Sequence, residues 1–439
     1  MRFKTSIQWR RLPKRLLSRE RWKARLVFWV GAALVGLAGA FFAKAAVYTD
    51  DMFHHLVRYS PYLPLAVCPL GLVLVAWLTA RFFPGTQGSG IPQSIAALDM
   101  PEHAQRARVL SPRIVAGKIL LTCLGLLSGA SIGREGPTVH VGTSIMYSLG
   151  RYARFPSHYL ERALILAGGA AGIAAAFNTP IAGIMFAIEE MSRSFEDRTS
   201  GTLITAVLVA GVTAIAVLGN YTYFGSTNST LDISNTWLAV LACGVAGGLL
   251  GGVFSVLIIW SSRRLRPLYR AHPLAVAAVC GLIIALVGLL SGGTTYGSGY
   301  HEARQLVLGT GTVSAAFPYL KMLGNLASYL SGIPGGLFAP ALSAGAGLGA
   351  HIAHWFPGAP VSAIVILGMV GYFTGVVQTP ITAFVIVMEM TNNHGLLLPL
   401  MATAFIAYLT SRLIHPTPIY QALAEGFRPE AAGSSRPET

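Results

Sequence analysis

Long apolar runs, separated by short clusters of glycine, proline and charge, organise this chain from about position 26 to position 413. Leu26–Val47 is long enough to cross a bilayer, and so are Leu63–Phe83, Trp237–Trp260, Leu274–Leu290 and Leu396–Leu413. Other runs are shorter and broken by Gly or Pro: Ile91–Leu98, Pro137–Leu149, Ile181–Glu190, Phe338–Ile352 and Ile381–Met390. The periodicity is that of helices rather than of an alternating barrel strand, so the pattern predicts an all-α integral membrane protein. Segments that reach only part-way mark broken or re-entrant helices, whose ends can meet at the bilayer midplane and form a binding site.

The pattern also repeats. Phe177-Asn178-Thr179-Pro180-Ile181-Ala182-Gly183 runs on to Ile188-Glu189-Glu190-Met191, and Val377-Gln378-Thr379-Pro380-Ile381-Thr382-Ala383 runs likewise to Met388-Glu389-Met390. At a constant register Ala163, Gly168, Thr179, Pro180, Ile181 and Glu189 match Ala363, Gly368, Thr379, Pro380, Ile381 and Glu389. Further upstream, Gly133–Pro137 corresponds loosely to Gly336–Pro340. A shared register across a polar landmark predicts a duplicated chain with halves at roughly 30–217 and 237–414. The pattern leaves open whether the halves are inverted.

Composition agrees with the membrane reading. The chain has 439 residues, 53% hydrophobic and only 11% charged, with a mean hydropathy of +0.59; soluble domains carry about 25% charged residues. Cys68, Cys123, Cys243 and Cys280 are scattered in apolar stretches without metal-ligand spacing, so they read as small core residues. The net charge of +15 is explained by topology rather than by nucleic acid. Residues 1–25 form a basic segment with interleaved Trp9 and Trp22, suited to an anionic lipid surface. Further basic clusters sit at Arg106/Arg108/Arg113, Arg151/Arg154/Arg162 and Arg263/Arg264/Arg266/Arg270, whereas Gly219–Ser234 has no Lys or Arg. The positive-inside rule then places both termini in the cytoplasm and Gly219–Ser234 outside.

Within this apolar setting Gly133-Arg134-Glu135-Gly136-Pro137 stands out. An ionised carboxylate at membrane depth costs several kcal/mol unless it is paired, protonated or reached by water. Glycines let backbone approach a ligand, and Pro137 suits the first turn of a helix whose free N–H groups would attract an anion. Glu135 and a small anion could then compete for one place; an ordinary loop with a Glu135–Arg134 pair is the simpler alternative. Gly88-Ser89-Gly90-Ile91-Pro92 and Gly335-Gly336-Leu337-Phe338-Ala339-Pro340 likewise put glycines before a short helix with proline in its first turn. Three such N-termini would offer donors without a full positive charge, which suits an anion that must also leave. Ser89 and Tyr420 each add a hydroxyl.

Taken together, these motifs resemble the CLC family of chloride channels and chloride/proton antiporters over nearly all of residues 25–425. The resemblance implies about 18 helices of unequal length in two inverted repeats within a transmembrane domain spanning 26–425, followed by a polar tail at 426–439. It implies a multi-pass protein of the cell (inner) membrane, a homodimer with an interface on the short helices after Asn178 and Gln378 and their neighbours, and no paired cytoplasmic regulatory domains. It implies that Ser89, Tyr420 and the backbone amides of Leu337 and Phe338 bind the central anion. Glu135 takes the role of gate and outer proton acceptor, and Glu190 that of inner proton-transfer site. The implied activity is exchange of chloride for protons, with chloride as transported ligand and no cofactor. A passive voltage- or pH-gated chloride channel is the alternative, and Glu190 argues against it because such channels generally lack an acid there. Gln93 and Ile95 depart from acids found in some relatives.

Plainer readings accompany several residues. Ser89 is expected to cap the helix at Ile91 as well; Tyr420 could anchor an interface. Glu189 is expected to pair with Arg193 at the cytoplasmic edge, and Glu389 to be structural. Lys118 is expected to tune the internal potential, and His140 to pack or hydrogen-bond within its helix. An enzyme is not expected: HExxH, GxSxG and Cys/His groupings are absent.

Overall fold

With no water available at membrane depth, backbone polar groups must be satisfied within the chain, and the apolar runs do this as helices. The computed structural model describes residues 19–153, 158–193, 200–231 and 235–428, and all statements below concern these. The first half comprises α1 (Arg19–Tyr59), α2 (Pro64–Phe82), α3 (Ile91–Asp99), α4 (His103–Val109), α5 (Pro112–Leu127), α6 (Glu135–Tyr152), α7 (His158–Phe177), α8 (Pro180–Phe186) and α9 (Ser200–Leu218). The second comprises α10 (Leu238–Arg264), α11 (Arg266–Ala271), α12 (Pro273–Leu290), α13 (Tyr300–Val307), α14 (Phe317–Leu330), α15 (Phe338–Ala353), α16 (Val361–Val377), α17 (Pro380–Thr391), α18 (Leu397–Ile414) and α19 (Ile419–Ala424). That is 19 α-helical segments, against the 18 or so expected, and strands are absent among the described residues. Eight helices are long and apolar enough to cross a membrane, and the fold is that of an all-α integral membrane protein.

The duplication is written into the backbone. Asn178 and Gln378, which end α7 and α16, both adopt the left-handed region at φ 58° and 59°. Thr179 and Thr379, one position later, have φ/ψ of −126°/79° and −123°/83°. The α6–α7 and α15–α16 crossings are equally close: a Cβ on Gly142 would strike the Gly168 carbonyl, and one on Gly345 the Gly368 carbonyl. Small residues at these crossings let the backbones touch, which is how helices associate where both helix and lipid are apolar.

The halves are also locked to each other. Glu189 Oε1 and Oε2 accept from the amides of Ile381 (3.1 Å) and Thr382 (2.6 Å) at the start of α17. Glu389 Oε1 and Oε2 accept from Ile181 (3.2 Å) and Ala182 (2.8 Å) at the start of α8. Glu389 is therefore structural as expected, but Glu189 does not serve as a partner for Arg193. Its carboxylate caps the other half's helix, where free N–H groups and the dipole offer more than an exposed guanidinium.

The first helix runs further than the apolar pattern indicated, through Thr49-Asp50-Asp51 to Tyr59. Its polar residues find partners in place: Thr49 bonds back to Ala45, and Asp50 meets Ser298. Elsewhere in the first half, buried Arg106 ties α4 to α7 and α3 through Glu161 and the carbonyls of Ala97 and Met100. The basic segment at 1–18, Arg154 and the tail from 429 to 439 lie outside the described residues.

Candidate functional site

The three glycine-rich loops converge, and their own backbones hold them together. Gly133 and Gly336 exchange hydrogen bonds as an isolated antiparallel bridge, N to O at 2.8 Å and 2.7 Å. Gly88 donates to Ile333 O at 3.0 Å, and Gly335 donates to Gly88 O at 3.0 Å. This bonding brings the starts of α3, α6 and α15 to one place. Bulk is excluded there: a Cβ on Gly136 would overlap Ser89 Oγ, and one on Gly335 would overlap Ile132.

Glu135 is the first residue of α6, two positions earlier than the apolar run suggested. It is fully buried, and Oε1 accepts from the Tyr223 hydroxyl at 3.1 Å. The carboxylate lies against its own amide and that of Ala339 at the start of α15, while Oε2 has no hydrogen-bond partner among the described residues. Arg134 does not close a simple ion pair with Glu135; its guanidinium stacks 5.8 Å from the centre of the Tyr223 ring. A buried carboxylate lying against backbone amides at a helix start occupies a place built for negative charge.

Ser89 is buried, yet it does not cap α3. Gly90 is the N-cap, at φ 94°, and no side-chain cap bond forms. The left-handed glycine turns the serine away from the helix start, so its hydroxyl faces that of Tyr420 instead. Neither hydroxyl has a hydrogen-bond partner in good geometry among the described residues. Tyr420 is the second residue of α19, fully buried rather than an interfacial anchor. Its ring packs 5.9 Å from that of Phe338, which in turn meets Phe186, Phe177 and Phe373. Phe338 thus joins both halves around the hydroxyl pair. Leu337 and Phe338 are the N-cap and first residue of α15, where amides lack intrahelical acceptors.

Glu190 sits where α8 loosens into a π-helical turn, Ala187–Ser192. The extra residue per turn splits the acid pair, sending Glu189 to α17 and Glu190 inward. Glu190 is 1% exposed, and neither carboxylate oxygen has a hydrogen-bond partner in good geometry. The Thr379 hydroxyl faces it, and Tyr420 lies within electrostatic reach of both Glu190 and Glu135. Its counterpart in the second half is Met390. The inner acid therefore exists once per chain.

Two cavities border the cluster. One, of about 470 Å³, is lined by Glu135, Arg134, Tyr221, Tyr223, Tyr300 and Asp50. The other, of about 200 Å³, is lined by Ser89, Gln93, Arg266, Tyr269, Tyr329 and Phe427. Glu190 lines neither. Lys118 is fully buried and donates to Thr86 O and Gly88 O, both at 2.6 Å, so its charge stands behind the serine loop. His140 hydrogen-bonds outside its own helix, Nε2 to Val109 O at 2.7 Å. Gln93 donates to Gln87 O at 2.7 Å and so braces the same loop. Tyr223 escaped the sequence reading; the only available signal was a tyrosine in a loop devoid of Lys and Arg.

The chain is similar to known proteins in sequence and in fold. A family model described as "Voltage gated chloride channel" matches residues 71–412. The chain is 30% identical over 442 residues to a protein of Yersinia pestis described as "H(+)/Cl(-) exchange transporter ClcA", covering 94% of this chain and 90% of that one. A Vibrio cholerae protein of the same description is 31% identical over 426 residues, covering 89% and 86%. Among solved structures, a slow cyanobacterial Cl-/H+ antiporter superposes with a TM-score of 0.76 at 25% identity, covering 92% of this chain and 97% of that one. A CLC-type fluoride/proton antiporter gives 0.78 at 22% identity, covering 92% and 98%, a likeness of fold.

Proposed function

The chain belongs to the voltage gated chloride channel family, and from that premise we propose that it exchanges chloride for protons across the cell (inner) membrane. The observation that carries this reading is the pair of buried carboxylates, Glu135 and Glu190, that flank the unpartnered hydroxyls of Ser89 and Tyr420. A channel needs one gate; an exchanger needs a second acid that reaches the gate without using the anion path. Glu190 meets that need, since it lies buried beside Tyr420 yet outside the cavity that leads to Ser89.

Chloride takes the place between Ser89 Oγ, the Tyr420 hydroxyl and the first amides of α15 at Leu337 and Phe338. These are neutral donors, strong enough to replace water and weak enough to release the ion. Glu135, ionised, competes for the adjoining helix start; protonated, it leaves and opens the way to the large cavity. Because one gate serves both ions in turn, neither moves freely without the other. The large cavity opens outside, since it is lined from the loop that lacks Lys and Arg. The small one opens to the cytoplasm, where Arg266 draws anions toward Ser89. Both termini are then cytoplasmic, and residues 26–425 act as one transport domain without catalytic chemistry or a cofactor.

The test is chloride-driven uphill proton movement in liposomes. Wild-type protein moves protons against their gradient. Glu135→Gln keeps chloride flux but loses proton coupling, and Glu190→Gln loses proton transport while chloride still moves. Absence of uphill movement in the wild type replaces the exchanger by a channel, and persistent pumping by Glu190→Gln removes that residue from the relay.

A further inference from the structure

The serine loop is built twice. Thr86-Gln87-Gly88-Ser89-Gly90 recurs as Thr295-Tyr296-Gly297-Ser298-Gly299. In both copies the two glycines are left-handed, Gly88 and Gly90 at φ 65° and 94°, Gly297 and Gly299 at φ 59° and 75°. Each loop ends at a helix whose N-cap is its second glycine and which has no side-chain cap bond: α3 in one case, α13 in the other. Each has a fully buried lysine behind it. Lys321 donates to Thr295 O (3.0 Å), Tyr296 O (3.2 Å) and Gly297 O (2.9 Å), as Lys118 does to the first loop. Beneath the second glycine lies a buried polar side chain, His140 under Gly90 and Ser343 under Gly299, close enough that a Cβ would collide with either. Ser343 Oγ is fully buried and has no hydrogen-bond partner among the described residues.

The copies differ in what the serine faces. Ser298 Oγ donates to Asp50 Oδ2 at 3.3 Å, and the Ser298 amide faces the same carboxylate. Asp50 comes from α1, is 5% exposed and is wedged so tightly that a Cβ on Gly297 would overlap it. Its other oxygen, Oδ1, has no hydrogen-bond partner in good geometry. A hydroxyl, a backbone amide and a lysine behind the loop form a seat for negative charge, and here a tethered carboxylate fills it. The seat lines the same cavity that ends at Glu135.

We infer that Gly297-Ser298-Gly299 is a second anion site, occupied by the Asp50 carboxylate, which takes a small monovalent anion from the cavity once that carboxylate is protonated or removed. Protonation cancels the charge of Asp50, leaves the hydroxyl and amide donors without an anionic acceptor and lets the side chain withdraw. Other ionisable groups surround it on every side. His54 Nδ1 lies 3.7 Å from Oδ1 on the same helix, and His301 on α13 pairs with Asp51 at 3.2 Å. Lys321 approaches from α14 with Glu302 of α13 near it, and Arg134 and Glu135 face the same cavity. Acid outside neutralises the carboxylate, and the loss of its negative charge favours an anion in the seat.

Bromide, located by its anomalous scattering in crystals of the full-length protein, tests the assignment. Asp50→Ala at neutral pH is expected to gain a bromide within hydrogen-bond distance of Ser298, beyond any at Ser89, and wild-type protein to gain the same ion in acid. Adding Ser298→Ala to Asp50→Ala should weaken that bromide about tenfold in a concentration series, the loss of one hydroxyl donor. Bromide at Ser89 with none at Ser298 in Asp50→Ala overturns the inference. Should Asp50→Ala fail to fold, the acid-soaked wild type decides by the same criterion.

Discussion

At the scale of single residues, the centre of this protein is a set of polar atoms without protein partners. Buried hydroxyls are ordinarily satisfied, because desolvating a donor without return costs about 1–3 kcal/mol. Ser89 Oγ and the Tyr420 hydroxyl break that rule side by side, and Ser89 gives α3 no cap in exchange. We read the pair as serving a ligand rather than stability. Replacing both, as Ser89→Ala with Tyr420→Ala, should therefore weaken chloride binding by about 1–3 kcal/mol in calorimetry and loosen proton coupling. Unchanged affinity would remove both residues from the site.

Among the elements, the short helices α8 and α17 carry the most information. Each is capped by a glutamate from the other half, Glu389 on α8 and Glu189 on α17, two hydrogen bonds apiece. A lost cap costs about 0.5–2 kcal/mol, and here it also releases a contact between halves. Glu389→Ala should lower the melting temperature in detergent while proton coupling in liposomes persists. An unchanged melting temperature would mean that the cross-caps contribute nothing to holding the halves together. The π-helical turn after α8 adds the asymmetry that two equal repeats lack, since it turns Glu190 inward where the second half has Met390.

For the molecule as a whole, the repeats place equivalent loops on opposite cavities: Ser89 lines the smaller and Ser298 the larger. That relation is the one expected of inverted repeats. Apolar side chains are exposed on α9 and α18, among them Leu208, Val212, Leu409 and Leu413, and so is Ile181 of α8. We propose that this surface and α17 form the homodimer contact. Light scattering in mild detergent should give a mass of two chains; a strict monomer would leave the surface to lipid.

Apolar run length determined the membrane class and most helices, because burying backbone in lipid leaves no other solution. The constant register around Thr179-Pro180 and Thr379-Pro380 determined the duplication, and the glycine–proline loops marked the residues at the centre. What sequence order could not decide was direction and partner. The spacing of Glu189 and Glu190 is that of neighbours, yet a π-helical turn sends one to the opposite half and the other toward Tyr420. Ser89 has the composition of a cap, and only the left-handed Gly90 turns it away from its helix. Tyr223 reaches Glu135 across 88 positions, a contact that no local pattern encodes. Local backbone conformation and the packing of the two halves settled these, since together they determine which buried polar atoms find a partner in the chain and which do not.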